Sequence, residues 1–251
     1  DTATTDLYTL SLHDALPISK IDVAREAALD INPDADLRMF PNGVRPDNIA
    51  EFLDGVDVLV DGLEFYEIDI RRTLFDACRD RGIPVVTAGP IGIGASLVTF
   101  LPGGMRYDEW LNLDDAYTQV EKGIAFALGL NPSYKSQIDP KSIDFRNRKG
   151  PALSSSCFLC SALAANEVVK ILLGKPGVCA APRGKYVNLD TLKVKRLRRV
   201  PSLRKSWIGR IMKTLAFRQL PQLRELHEEQ LGNAQSPSPA GGTSASQGIK
   251  S

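Results

Sequence analysis

Two carboxylates that follow an apolar run are the residues best placed for chemistry in this chain. Asp61 ends the run at residues 56–61, and Glu64 follows it three positions later. Such runs are typical of parallel strands covered on both faces, and open α/β sheets bind ligands at the carboxyl ends of those strands. A carboxylate placed there can hold Mg²⁺. The alternative is that Glu64, together with Glu67 and Asp69, only complements the positive end of the next helix.

Lys20 is the second candidate, because it stands at the start of an apolar pattern with helical spacing. An ammonium point charge suits a polyphosphate whose charge builds up as pyrophosphate leaves. The alternative is an ordinary solvated lysine at a helix start, where a cation is mildly unfavourable.

The four cysteines could in principle form a metal site or a reactive thiol. Cys157-x-x-Cys160 is half of a zinc site, but no second pair is present, and Cys179 would need His227 to complete it. We therefore favour packing of both cysteines on one helix face and predict no zinc site. A reactive Cys157 thiol near a helix N-terminus is the alternative. Cys78 is predicted to be structural.

A basic stretch occupies residues 193–218, which contain ten Lys or Arg and no Asp or Glu. Its apolar residues interleave with the basic ones, so residues 201–220 could contact an anionic membrane surface or a partner. The alternative is a helix docked on the core with its basic side in water. Gly209 weakens the prediction of a helix. No base-reading motif accompanies the charge, so no nucleic acid is predicted.

The surrounding pattern predicts an α/β fold with a doubly wound, Rossmann-like and mostly parallel sheet and an antiparallel extension. Apolar runs fall far short of the roughly 20 residues that a membrane span needs. The predicted helices cover residues 20–30, 46–53, 68–81, 114–128 and 154–173. Gly82 and Gly174 are predicted to end the third and the last of these helices. The predicted strands cover residues 35–40, 56–61, 83–87, 96–101, 184–189 and 192–197.

Five segments in this order resemble the ThiF/MoeB/HesA adenylyltransferases, the family of ubiquitin-activating-enzyme-like proteins. They begin with a lysine-bearing helix that ends in Ile31-Asn32-Pro33, an acidic turn at 57–64 of the type D-x-V-x-D-x-x-D, and the helix and strand at 76–86. The last two are a strand segment at 92–102, which begins at Gly92 and ends in Phe100-Leu101-Pro102, and a late helix at 162–174. The resemblance covers residues 19–200, which we predict to be a partial adenylyltransferase domain. Residues 1–18, which include His13, look like translated sequencing-adapter read-through and are predicted to be a foreign leader. Residues 201–231 are predicted to be a basic helical extension, and the Ser-, Gly-, Pro- and Ala-rich residues 232–251 a disordered tail.

The resemblance implies ATP and Mg²⁺ as cofactors. It implies catalytic roles for Lys20 and Glu64, cofactor binding by these two residues and Asp61, and coordination of Mg²⁺ by Glu64. The family carries Asp where this chain has Glu64. The glycine-rich loop of the first β-α-β unit is expected upstream of Lys20, where this chain has the leader. We therefore expect an N-terminally truncated fragment that is inactive alone.

The implied reaction is ATP-dependent adenylation of a carboxylate, the C-terminus of a small ubiquitin-like or sulfur-carrier protein, by a cytoplasmic homodimer. Residues 103–150 contain no cysteine, so transfer to a thioester is not predicted. The alternative is a non-catalytic scaffold of the same fold that binds a peptide or carrier protein. A nicotinamide dehydrogenase fragment would rest on fold alone.

Overall fold

A computed structural model describes residues 20–131 and 153–235. The chain divides into two compact units, residues 1–48 and 49–251. In the first unit, α1 (Lys20–Ile31) ends just before Asn32 and Pro33, as predicted. The segment at 35–40 is not a strand, and that prediction is wrong. Its residues alternate between half-buried and exposed as far as Met39, but no strand of the described residues pairs with it.

The second unit is built on a mixed five-stranded sheet with the order β1-β2-β3-β4-β5. The first two strands are parallel, with Leu59 opposite Val85, and the three other pairs are antiparallel. This confirms the α/β fold and its antiparallel extension, although only one pair of the described sheet is parallel. The strands are β1 (Leu59–Asp61), β2 (Val85–Pro90), β3 (Gly94–Phe100), β4 (Lys185–Asn188) and β5 (Val194–Arg196).

Helices cover the sheet, and the last two helices follow its final strand. Gly82 (φ +74°) and Gly174 (φ +58°) follow α3 and α6 in the left-handed conformation, as the sequence predicted for helix ends. The helix predicted at 114–128 starts later because the Thr118 side chain caps it. The helices are α2 (Ile49–Phe52), α3 (Ile68–Asp80), α4 (Tyr107–Leu111), α5 (Gln119–Leu130), α6 (Ser154–Leu172), α7 (Trp207–Gln219) and α8 (Pro221–Gln235).

Both faces of β2 and β3 are covered. On one face α6 packs its buried residues against Val86, Leu97 and Cys179. On the other, the rings of Phe75, Phe100 and Tyr107 lie 4.9 to 5.7 Å apart, centroid to centroid. All seven residues of β3 are buried, as expected for a strand with helices on both sides.

Helix α6 is long and apolar enough to cross a membrane by length and composition, unlike the short apolar runs noted in the sequence. Mostly buried core helices of soluble proteins pass the same test, although only 17% of the apolar window of α6 is buried. Here α6 buries Glu167 completely and places one carboxylate oxygen 3.2 Å from the hydroxyl of Thr99 on β3. The other Glu167 oxygen lies against the Lys170 ammonium group, which donates to the Gly177 carbonyl at 3.0 Å. The late-helix motif therefore fastens α6 to the sheet.

The C-terminal helices α7 and α8 pack on each other and on α5. Gly209 and Met212 form the buried side of α7. A Cβ atom at Gly209 would overlap the backbone of Ser202. Only glycine at this position lets the helix lie so close to the preceding segment. The glycine that weakened the helix prediction is thus a contact point of the docked helix.

Candidate functional site

The candidate site is the loop that connects β1 to α3, residues 62–67, which we call the acidic loop. It begins after Asp61, at the carboxyl end of a strand in the parallel pair, and Asp61 lies opposite Thr87 of β2. This is the edge at which open α/β sheets bind ligands. The sequence placed Asp61 and Glu64 here, and the structure puts their side chains in different surroundings.

The Asp61 carboxylate is buried, with its side chain only 3% exposed. The Nε atom of Arg71 lies 3.0 and 3.2 Å from its two oxygens. The Thr87 hydroxyl and the Leu63 backbone N–H also donate to it, each at 3.2 Å. Direct cofactor binding by Asp61 remains a prediction, while the geometry gives this carboxylate the task of holding Arg71.

Arg71 fixes the backbone of the acidic loop. Its guanidinium donates to the carbonyl oxygens of Leu63 at 2.7 Å, Glu64 at 3.0 Å and Glu67 at 3.3 Å. Its Cζ atom lies 4.5 Å from the centre of the Phe126 ring, a cation–π distance. Arg71 is not among the site residues that were predicted from the sequence. The available signal was its position in the apolar stripe of α3, where an arginine needs a buried carboxylate partner.

Glu64 is exposed, and its carboxylate has no hydrogen bond or ion pair among the described residues. Only its backbone is held, by Arg71 and by the Glu67 N–H at 3.0 Å. Asp69, which shares the acidic cluster, is committed elsewhere because Lys122 Nζ lies 2.7 Å from it. Burial opposes ionisation of Asp69, but hydrogen bonds from Lys122 and Gln119 lower the pKa of its carboxyl. Among the described residues nothing pairs with the Glu64 carboxylate, so it is available to take a cation.

Lys20 is the first residue of α1, as predicted. Its side chain lies outside the described residues, and it belongs to the first unit whereas Glu64 belongs to the second. Its contact with phosphate stays a prediction.

The four cysteines are free thiols. Cys157 is exposed, so the packing prediction is wrong for it, whereas Cys160 is half-buried and burial raises the pKa of its thiol to about 11. Cys78 is fully buried, as predicted, and burial raises the pKa of its thiol to about 12. Within 20–131 and 153–235, no three His, Cys, Asp or Glu side chains lie together as a metal-binding group.

The basic extension is docked rather than free. Arg204 Nε lies 3.0 and 3.1 Å from the two oxygens of Glu121 on α5, and Lys213 Nζ lies 3.0 Å from one of them. Glu121 is completely buried, and its other contact is the Thr118 backbone N–H at 3.0 Å. Burial raises the pKa of Glu121, but Arg204, Thr118 and Lys213 outweigh it and lower the pKa to about 2. The docked alternative considered for residues 201–220 is thus confirmed for the inner side of α7.

Comparison with known proteins identifies one family. The sequence model of the ThiF family matches residues 9–206. The match includes part of residues 1–18, whose assignment as a foreign leader stays a prediction. No curated protein sequence matches the chain significantly.

Several solved structures are similar in part. PaaA is 17% identical, with 74% of this chain and 57% of that chain covered and a TM-score of 0.48. E. coli MccB with ATP is 15% identical, with 76% and 51% covered and a TM-score of 0.48. The Microcin C7 biosynthetic enzyme MccB in complex with N-formylated MccA is 15% identical, with 76% and 52% covered and a TM-score of 0.47. The chain spans about half the length of these proteins.

Proposed function

Because the chain belongs to the ThiF family, we propose that the whole protein adenylates a carboxylate with ATP and Mg²⁺. The observation that carries the proposal is the Glu64 carboxylate, which no residue of 20–131 or 153–235 pairs with. It lies at the carboxyl end of a parallel strand on a loop whose backbone Arg71 fixes. A ligand site needs a rigid support and an available charged group, and the acidic loop supplies both.

The residues present fit a magnesium ion that is shared with phosphate. Mg²⁺ in proteins keeps several waters and takes one or two carboxylates together with substrate phosphates. Glu64 of the acidic loop is such a carboxylate, while Asp61 is occupied by Arg71. When bound, the ion would neutralise phosphate charge. The Glu64 side chain is one methylene longer than the aspartate that the family carries at this position. Its Cα atom would therefore lie further from the ion than that of an aspartate.

In the proposed reaction, a carboxylate oxygen of the substrate attacks the α-phosphorus of ATP. An O–P bond forms, the bond to the β-phosphate bridge breaks, and pyrophosphate leaves with the electron pair. The products are an acyl adenylate and pyrophosphate. No protein nucleophile is consumed, so the protein contributes positioning and charge. We propose Lys20 for the phosphates and Glu64 for the metal ion.

The proposed acyl substrate is the C-terminal carboxylate of a small ubiquitin-like or sulfur-carrier protein. A homodimer in a reducing, cytoplasmic compartment is part of the same proposal. The support for the compartment is the chain's low cysteine content, four in 251 residues.

Pyrophosphate exchange tests the reaction. With Mg²⁺, the whole protein should exchange labelled pyrophosphate into ATP only when its carrier protein is present. Replacing Glu64→Gln should lower the exchange rate by about 100-fold, because a metal-bound charge contributes several kcal/mol to the transition state. Glu51→Gln is the matched control, since Glu51 is an exposed glutamate on α2 outside the loop.

No exchange with any member of a broad panel of carrier proteins would count against adenylation. Exchange that Glu64→Gln and Glu51→Gln leave equally unchanged would count against the proposed role of Glu64 in holding the metal ion. If the whole protein also fails to bind ATP, the non-catalytic scaffold becomes the better account of the fold.

A further inference from the structure

The outer side of α7 carries a stripe of apolar side chains that no part of the described chain covers. The stripe consists of Trp207, Ile208, Ile211 and Leu215, which are 66%, 41%, 49% and 40% exposed. Their spacing of one, four and eight residues puts them on one side of the helix, about 100° wide. The opposite side, with Gly209 and Met212, is buried. The stripe is therefore not the face by which α7 docks.

Positive charge accompanies the apolar stripe. Arg210 and Arg218 are exposed beside it, as is Lys205, whose ammonium group lies 3.5 Å from an Asp114 oxygen. Residues 193–218 contain no acidic residue. Arg210 and Arg218 make no side-chain ion pair with any residue in the described ranges. The two cations that Glu121 neutralises, Arg204 and Lys213, lie towards the body of the protein. What faces outward is apolar and basic.

We propose that this outer side of α7 lies on an anionic phospholipid surface, with Trp207 at the level of the headgroups. Helices that lie in a membrane interface combine exposed aromatic and aliphatic residues with flanking Lys and Arg. Each basic residue near an anionic leaflet adds to binding, so a small patch is sufficient.

The dimensions of the stripe favour lipid over a protein partner. Nine helical residues span about 13 Å, and four side chains over that length cover far less than the roughly 800 Å² that each partner buries in a stable protein interface. A bilayer accepts shallow insertion of a few side chains. The ion pairs from Arg204 and Lys213 to Glu121 hold α7 in its helical, outward-facing position, so binding does not require the segment to fold.

Vesicle binding by the full chain tests this assignment. The chain should sediment with vesicles that contain phosphatidylglycerol and not with vesicles of phosphatidylcholine alone, and binding should weaken as salt screens the charge. The fluorescence of Trp207 should shift to the blue on binding. Trp207→Phe should abolish that shift, because the remaining Trp110 is only 1% exposed.

Two double variants separate the charge from the apolar stripe. Arg210→Glu with Arg218→Glu should weaken binding by about tenfold or more, since each basic residue near the surface contributes about 1 kcal/mol. Ile211→Ser with Leu215→Ser should abolish the blue shift. Leu231→Ser is the matched control, because Leu231 is 39% exposed on α8 and outside the stripe. Thermal unfolding of each variant checks that the fold is kept, as expected for exposed positions.

Equal binding to both kinds of vesicle, or none to either, would overturn the assignment. So would self-association in vesicle-free buffer that the Ile211→Ser, Leu215→Ser variant abolishes, because the stripe would then belong to an interface with a second copy. None of these measurements depends on adenylation.

Discussion

Two buried carboxylates, Asp61 and Glu121, organise different regions of this protein with the same chemistry. Asp61 binds Arg71, ten residues further along the chain, and both lie within the range that matches the ThiF family. Glu121 binds Arg204 and Lys213, which are 83 and 92 residues away. Lys213 lies beyond the matched range, which ends at residue 206. One carboxylate shapes a loop, and the other attaches a segment to the domain.

The two clusters differ in the solvent exposure of their cationic side chains. The Arg71 side chain is 1% exposed, whereas those of Arg204 and Lys213 are 34% and 22% exposed. A buried charge that loses its partner cannot be hydrated, but a partly exposed charge can turn towards solvent. Breaking the pair of Asp61 with Arg71 should therefore lower the free energy of unfolding more than removing Glu121 from Arg204 and Lys213.

Replacing Arg71→Met should have the largest effect. It leaves the Asp61 carboxylate buried without its cation, and three loop carbonyls lose the hydrogen bonds that the guanidinium donates. The free energy of unfolding should fall by about 3–5 kcal/mol. Urea unfolding measures this fall directly.

The neighbouring residue supplies the control. Arg72→Met removes ion pairs with Asp108 and Asp115, but the Arg72 and Asp108 side chains are 22% and 26% exposed and that of Asp115 is 91% exposed. Its cost should be about 1 kcal/mol or less. Equal losses in the two variants would show that the burial of Asp61 does not set the energetics of the loop.

The same contrast explains what the sequence could predict about the site. The strand and its acidic turn are local features, so the carboxyl end of β1 was found from the order of residues alone. Asp61 and Glu64 both follow that strand, and the sequence did not separate the buried carboxylate from the available one. The separation depends on Arg71, which reaches Asp61 only after α3 packs against the sheet.

The fold shows the same division between local and distant causes. The glycines after α3 and α6 mark helix ends by their own backbone preference, and both were predicted correctly. The segment at 35–40 has a strand-like pattern, but strand formation also needs a partner, which no pattern within the segment reveals. Glu121 and Lys213 lie far apart in the sequence, so the pattern within either segment does not predict that they pair.

Replacing Glu121→Gln tests the second carboxylate and should have a smaller effect than Arg71→Met. It removes the charge that holds Arg204 and Lys213 and weakens the cap of α5, but both cations can reach water. Unfolding free energy should fall by about 2 kcal/mol. Because the contacts join α7 to α5, limited proteolysis should also cut near α7 sooner in the variant.

Glu228→Gln is the control for Glu121→Gln. Glu228 pairs with Arg224 within α8, and both side chains are more than 60% exposed. That change should cost less than about 0.5 kcal/mol and leave the rate of cleavage near α7 unchanged. Equal cleavage rates in Glu121→Gln and the unmodified chain would mean that the ion pairs do not hold the extension in place.

The smallest effect concerns the pH dependence of the same attachment, through His227 on α8. His227 is buried, its Nδ1 lies 2.9 Å from the Thr118 hydroxyl, and its ring lies 5.3 Å from that of Phe217. Burial lowers the pKa of His227 below its usual 6.5, and the charges of Lys213 and Arg204 add to this, whereas Glu121 and Glu228 oppose it.

The direction of the pH effect follows from that lowered pKa. Between the lowered pKa of the folded state and 6.5, the unfolded chain binds more protons at His227 than the folded chain does. Stability is therefore fully present above pH 6.5 and falls as the pH drops towards the folded pKa. Glu121 does not contribute in this window, because its pKa of about 2 and its ordinary value of 4.5 both lie lower.

Unfolding by urea at a series of pH values between 5 and 8, an interval of about one and a half units on either side of the ordinary histidine pKa, measures this effect. His227→Gln should remove the decline at low pH, whereas His13→Gln, at the other histidine of the chain, should keep it. A decline that persists in His227→Gln would place the titrating group elsewhere. In that case His227 would not set the pH dependence of stability, while the Glu121 carboxylate, whose pKa of about 2 keeps it ionised across this range, would still hold Lys213 of α7.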